Sequence, residues 1–331
     1  MAIKERKRAE DGVGMDDRKR RVRGTESGRV IAGAGRRRIE GKGPFADYSA
    51  IKAHTGIVVP AIKKMLLAKH QANAEFHAHK HDAIFPTELS KSDFCPRAVY
   101  FRMQGKPDPS RSFSLRLETV FAEGDRIHEK WQGWLAETGQ LWGNWHCRHC
   151  ELDIANSTIP DQADYLTGFT KHDWEYREVP LASHMIRGRA DGALVKDNCL
   201  IEIKSVGLGT LRFEEPELLK KYGVLTPEGK QIVDAERLWK NIHRPFMSHV
   251  KQGNLYLWMA EQMGLPFDKL VFIYEFKPNQ DAKEFVITKS EETLRPMLAW
   301  HDQVVIAVEA GIAPACPRGG CANCRGYDKG E

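Results

Sequence analysis

Asp191, Glu202 and Lys204 are the residues whose types and spacing best fit chemistry. They stand in Gly188-Arg189-Ala190-Asp191-Gly192 and, with ten residues between Asp191 and Glu202, in Glu202-Ile203-Lys204. In CLIEIKSV (199–206) strand alternation sends Leu200, Glu202 and Lys204 to one face and Ile201 and Ile203 to the other. An acid and a base then project side by side from a strand apolar enough for a core. Asp191, just before a turn-prone glycine, is placed to approach from a neighbouring strand. Two carboxylates meeting this way suit a hard divalent cation, which takes oxygen ligands and keeps positions open for water and phosphate. The lysine would orient or help deprotonate the water and stabilise charge on the phosphate. The plainer reading is a solvent-facing Glu202–Lys204 pair on an edge strand, because E-x-K is common.

Other segments must position these groups. Over 113–138, Val120, Phe121, Gly124, Ile127, His128, Trp131, Trp134 and Leu135 recur at spacings of three and four, which predicts one amphipathic helix with His128 inside its stripe. From about Ala46, the run ending in HQANAEFHAH predicts one or two further amphipathic helices, and Ser90 or Ser92 is a cap for a short helix after Pro96. Strands are expected at 174–181, 186–195 and 199–206, and helix at 213–264. A β-hairpin (269–278 with 283–288) and a helix at 290–310 complete the pattern. The order implies an α/β sheet flanked by helices, without internal repeats.

Composition bounds the class. With 331 residues, 41% apolar and 29% charged, the chain has material for a sizeable core. No apolar run approaches a membrane span. The opening MAIKERKRAEDGVG has no apolar stretch behind its basic residues, so no secretory signal is expected. Seven cysteines, an odd number, argue against a disulfide framework and for a reducing cytoplasm, where clustered cysteines more often bind metal. The net charge is +5, but residues 1–43 carry 14 Lys/Arg against 7 Asp/Glu, which leaves the rest at −2. Residues 1–43 read as a basic disordered tail, and a phosphate-following arm is compatible with that disorder.

The whole constellation resembles the PD-(D/E)xK nuclease superfamily, and within it the RecB-type exonucleases. The resemblance rests on D-x10-E-x-K, a helical histidine upstream (GDRIHEKWQGWL) and Q-x3-Y downstream (KQGNLYLWM). It implies a restriction-endonuclease-like core with His128, Asp191 and Glu202 as metal ligands and Lys204 as catalytic lysine. It also implies that Gln252 and Tyr256, which a spacing of four puts on one helix face, position the strand or the nucleophile. Glu178 matches a position where family members often add an acidic residue; its ordinary reading is a surface strand residue.

Cys95 before this core and Cys316, Cys321 and Cys324 after it resemble the iron–sulfur branch, which includes the AddB C-terminal domain and the RecB-like nucleases of CRISPR systems and phages. The resemblance implies that these four hold one [4Fe–4S] cluster, with zinc as the competing occupant. The tail's C-x4-C-x2-C departs from the usual spacing of a close pair first. Cys147 and Cys150 form a separate C-x2-C that is either half of a zinc site, completed by His146, His149 or His172, or part of a structural insertion. Cys199 reads as an inert core thiol.

The implied organisation is a tail (1–43), a helical part with the first cluster cysteine (44–112), a nuclease core with an insertion at 140–172 (113–310), and a cysteine tail closing the cluster subdomain (311–331). The implied function is an exonuclease dependent on Mg²⁺ or Mn²⁺, acting on single-stranded DNA or DNA ends in the cytoplasm of a bacterium or a phage-infected host and leaving 5′-phosphates. Bases would stack on aromatics among Trp131, Trp134, Trp142, Trp145, Trp239 and Trp258. Recombination or CRISPR-type proteins would be partners. The alternatives are a non-catalytic DNA-binding or assembly subunit that keeps the fold, and a zinc-binding regulatory module.

Overall fold

The segment CLIEIKSV is a strand buried on both faces at the middle of a mixed sheet. The computed structural model describes residues 58–76, 82–106, 114–158, 160, 172–225 and 231–327. The basic arm 1–43 lies outside the described residues. In chain order the elements begin with helices α1 (Val58–Phe76), α2 (Pro86–Leu89), α3 (Pro96–Met103) and α4 (Leu115–Glu137). Strands β1 (Leu141–Cys147), β2 (Asp153–Thr158), β3 (Trp174–Arg177), β4 (Val179–Ser183), β5 (Ile186–Ala190), β6 (Gly192–Leu194) and β7 (Cys199–Val206) follow. Then come α5 (Leu208–Glu214), α6 (Pro216–Lys221), β8 (Gly223–Leu225), β9 (Gln231–Val233), α7 (Ala235–Lys240) and α8 (Met247–Gln262). The hairpin β10 (Lys269–Phe276) and β11 (Ala282–Thr288) leads into α9 (Glu291–Ala310).

The central sheet runs β11-β10-β7-β6-β1-β2, with β3 also paired to β1. Strands β7 and β10 are parallel, and every other pair in the sheet is antiparallel. Helices cover both faces. Ile201, Ile203 and Ile273 pack against Ile127 of α4 on one side. Leu200, Val206, Leu270, Phe272, Tyr274 and Phe276 share the larger core with Leu255, Tyr256 and Leu257 of α8 on the other. Buried Glu275 on β10 accepts from Lys130 (2.7 Å) and from the indole of Trp131 (2.6 Å), which locks α4 onto the sheet. The closing helix α9 starts at Ser290, whose hydroxyl accepts from the Thr293 amide, and ends at Gly311, which takes the left-handed conformation there (φ 67°).

Two expected strands are broken. The stretch 174–181 divides at Glu178 into β3 and β4, and 186–195 divides at Asp191 into β5 and β6. Both β3 and β6 pair with β1, at Asn144–Cys147 and Leu141–Trp142. The chain therefore steps out of the sheet at Glu178, makes the β4–β5 hairpin, and steps back in at Asp191. Because Val179 pairs with Ala190, the two departures sit side by side at the hairpin's base. Opposite the gap, Gly143 admits the ring of Tyr176, whose oxygen would lie 2.5 Å from a Cβ there.

Other expectations change as well. The stretch 140–172 opens with β1, which pairs β6 and so belongs to the sheet instead of an insertion. The helical excursion 213–264 contains the small β8–β9 pair. The cap of α3 is Cys95, not a serine; Ser90 closes α2 instead. The apolar stripe of α4 is buried only in part: Ile127, Trp131 and Leu135 pack on the isoleucines of the sheet, whereas Val120 and Phe121 in the first half and Trp134 to the side of that contact are exposed. No helix among the described residues is long and apolar enough to cross a membrane.

Ile201 is 1% exposed at the contact between α4 and the sheet. Ile201→Ala should destabilise the protein by about 2–5 kcal/mol, while Val286→Ala on the exposed face of β11 should change stability by no more than about 0.5 kcal/mol. Denaturant unfolding of the two variants measures the difference.

Candidate active site

The break in the sheet determines where Asp191 stands. Pairing of β6 with β7 ends at Gly192↔Ile201, so the Ile203 amide has no strand partner on that side. The Asp191 carboxylate takes its place, accepting from Ile203 N at 2.6 Å through Oδ2. Its other oxygen, Oδ1, lies 3.1 Å from Nδ1 of His128 on α4. Gln132, one helical turn on, donates to the Asp191 carbonyl (2.9 Å) and braces the same corner. Glu178, at the other side of the hairpin base, completes a group: one donor atom each from His128, Glu178 and Asp191 lies within 4.8 Å of the others.

Glu202 and Lys204 project toward α8. Lys204 Nζ donates to Glu202 Oε1 (2.6 Å) and to Gln252 Oε1 (3.0 Å). The Gln252 amide nitrogen donates to the same Glu202 oxygen (3.0 Å) and to the Tyr256 hydroxyl (2.9 Å). Gln252 and Tyr256 thus act from successive turns of one helix face. Gly188 lets the Tyr256 ring come close, since a Cβ there would lie 2.7 Å from Cε1. Every oxygen and nitrogen of this chain of contacts is paired except one. Glu202 Oε2 is buried without a hydrogen-bond partner. Such an atom costs about 1–3 kcal/mol unless something else meets it.

The electrostatics are those of crowded acids. Burial, and next the charge of Asp191, push Glu202 up to about 7, against the pull of Lys204. Burial and Asp191 also raise Glu178. For His128, burial opposes the charge, but the bond and charge of Asp191 outweigh it and raise the imidazole's pKa. Burial and the charge of Glu202 hold the Tyr256 hydroxyl protonated, well above its ordinary range. Carboxylates that are costly to ionise together are what a cation relieves. Two carboxylates and one imidazole match the donors taken by Mg²⁺ or Mn²⁺.

The residues expected at the site fall into two linked halves. His128 and Asp191 meet directly, and Glu202, Lys204, Gln252 and Tyr256 form the second half. Glu202 is not within the close donor group, and Glu178 is, so its reading as an ordinary surface residue gives way. The signal for it was the resemblance, in which family members often add an acidic residue on that strand. Gln132 and Glu275 had no signal at all, since their roles follow from which helix lies over which strand. Outside this site, Arg177 and Arg189 line an open groove that continues from Glu178 and Gln132.

The four cysteines 95, 316, 321 and 324 also converge, with sulfurs within 4.8 Å of one another. Arg318 Nη2 donates to the carbonyls of Asp93 (2.6 Å) and Phe94 (3.1 Å), and Tyr327 stacks on Phe101 at 5.2 Å, so the tail is bound to α3. Cys95–Cys316 and Cys321–Cys324 sulfur distances are 3.9 and 3.7 Å. Four thiols are the right donors for iron–sulfur or zinc. The spacing matches the edge, about 3.8 Å, of a tetrahedron around a single ion with metal–sulfur bonds of about 2.3 Å. A four-iron cluster holds its thiolates farther apart. Cys199 is buried on β7, away from both groups.

No family model and no curated protein matches the chain. Among solved structures, SSO0001 aligns at 15% identity with a TM-score of 0.35, covering 76% of this chain and 88% of that one. An alkaline exonuclease (LHK-Exo) from Laribacter hongkongensis aligns at 10% identity and a TM-score of 0.38, covering 72% and 93%. The same enzyme in complex with dAMP gives a TM-score of 0.39 over the same shares.

The raised Glu202 pKa has a consequence for stability. A carboxyl that binds protons more tightly when folded loses its stabilising contribution as pH rises from its ordinary 4.5 to about 7. With a chelator present, wild-type stability should therefore fall between pH 5 and 7 more steeply than that of Glu202→Gln. Denaturant midpoints across that range measure the two slopes.

Proposed function

We propose that this protein is a metal-dependent nuclease that hydrolyses DNA phosphodiester bonds as an exonuclease, on a restriction-endonuclease-like core. The observation that carries the reading is the convergence of His128, Glu178 and Asp191 beside the Glu202–Lys204–Gln252–Tyr256 network, at the one corner where the chain leaves the sheet. His128, Glu178 and Asp191 would hold Mg²⁺ or Mn²⁺, with Glu202 Oε2 facing the same charge. When bound, the cation supplies positive charge that polarises the phosphate and offsets the charge developing on it. Lys204, held by Glu202 and Gln252, orients the attacking water and takes up negative charge on the phosphate. Tyr256 keeps its proton and fixes Gln252. Arg177 and Arg189 along the groove suit a polyanionic strand. Trp134, about half exposed with Lys130 over its ring, offers a stacking surface for bases of single-stranded DNA or a frayed end.

The cysteine group would be the cluster subdomain, tied to the core through α3, and the resemblance assigns it [4Fe–4S]. The sulfur spacing favours a second occupant, a single Zn²⁺.

Labelled DNA incubated with Mg²⁺, Mn²⁺ or a chelator tests the activity. Asp191→Ala and Glu178→Ala should abolish cleavage with the fold intact by circular dichroism, and Lys204→Ala should lower the rate by ~10²–10³. Near-wild-type turnover in Asp191→Ala, or DNA bound without cleavage by the wild type, would overturn the assignment.

Metal analysis decides the cysteine occupant. Anaerobically purified protein should be brown, with iron and acid-labile sulfide that Cys95→Ala loses. Stoichiometric zinc without sulfide would establish the single-ion reading.

A further inference from the structure

The C-x2-C at the end of β1 comes together with His172 in a third group of metal-type donors. Cys147 is buried at the last position of the strand, and a tight turn through 148–151 brings Cys150 back beside it. Glu151 takes the left-handed conformation (φ 58°), and the Cys147 amide closes the turn on the Leu152 carbonyl at 2.8 Å.

From the far end of the intervening segment, His172 points its Nδ1 at both sulfurs, 3.4 Å from each. Its ring is held by stacking on Trp174, with centroids 4.8 Å apart and planes inclined by 23°. A tetrahedral ion with metal–sulfur bonds of about 2.3 Å and metal–nitrogen bonds of about 2.0 Å has sulfur–nitrogen edges of about 3.5 Å. Both measured edges agree with that figure. His146 is turned elsewhere, bonded to Asp153 (2.9 Å) and near Glu151 (3.5 Å). No fourth histidine, cysteine or acidic donor joins the group among the described residues.

We propose that Cys147, Cys150 and His172 bind one Zn²⁺, with water in the fourth position. The ion would fasten the end of β1 to the start of β3, where Cys147 pairs with Trp174. Three residues beyond Trp174 the strand ends and Glu178 begins the excursion, so zinc would also steady the strand that delivers Glu178. Binding itself does not depend on the nuclease reading.

Metal-free protein under reductant, titrated with ZnCl₂ and pulsed with iodoacetamide, tests the site by peptide mapping. Zinc should slow alkylation of Cys147 and Cys150 at least tenfold, and a chelator should restore it. His172→Ala should lose that protection and one equivalent of bound zinc, while Cys199→Ser keeps both. The readout is separate for Cys95, Cys316, Cys321 and Cys324, so zinc at those positions cannot imitate it. Unchanged alkylation of Cys147 and Cys150 on zinc addition, or protection that persists in His172→Ala, would overturn the proposal.

Discussion

A single backbone amide without a strand partner organises this molecule. Where β6 ends, the Ile203 N–H on β7 is buried and must be satisfied. The carboxylate of Asp191 does so at 2.6 Å, and the hairpin β4–β5 leaves the sheet to make room. That bond fixes one oxygen of Asp191 and aims the other at His128. It also makes the departure point rigid, because a side chain that substitutes for a strand partner has the geometry of the ladder around it. Glu178 owes its position to the same departure, on the opposite side of the hairpin base.

Assembling acids here works against stability. Glu202 keeps one oxygen buried and unpaired, and its pKa rises with burial. The surrounding structure compensates by holding the helices firmly. The isoleucine cluster and the Lys130–Glu275–Trp131 contacts fasten α4 from one side, so that His128 is presented at a constant depth. On the other side α8 is buried along most of its length, so Gln252 and Tyr256 have little freedom to move. A cluster of carboxylates crowded in this way needs stiff supports, since relaxation would pull its members apart.

The cysteine group joins segments more than 200 residues apart in sequence, at Cys95 and Cys316–Cys324. Linking such distant points limits the unfolded chain much as a long cross-link does. Polar contacts from Arg318 and Asn323 to Asp93, and the stacking of Tyr327 on Phe101, already hold the tail against α3. A metal there would reinforce an interface that the side chains have laid down. Zinc at the Cys147–Cys150–His172 group would do something comparable over a shorter span, between neighbouring strands.

Local pattern was enough to read the helices α4, α8 and α9, the β10–β11 hairpin, and the face of β7 that carries Glu202 and Lys204. Each depends on a period of 2 or 3.6 residues that survives in the chain itself. The pairing of Asp191 with Glu202 came from the family resemblance, and periodicity added only that Gln252 and Tyr256 share a helix face. The breaks at Glu178 and Asp191 were not, because both segments have unbroken strand character, and only competition for the edge of β1 divides them. How much of α4 is buried depended on where the sheet passes beneath it, so Val120 and Phe121 stand exposed despite their spacing. The convergence of His128 with Glu178 joins residues 50 positions apart, and that of His172 with Cys147 and Cys150 residues 25 and 22 apart. Pairing between strands decides such meetings, and no periodicity within one segment records it.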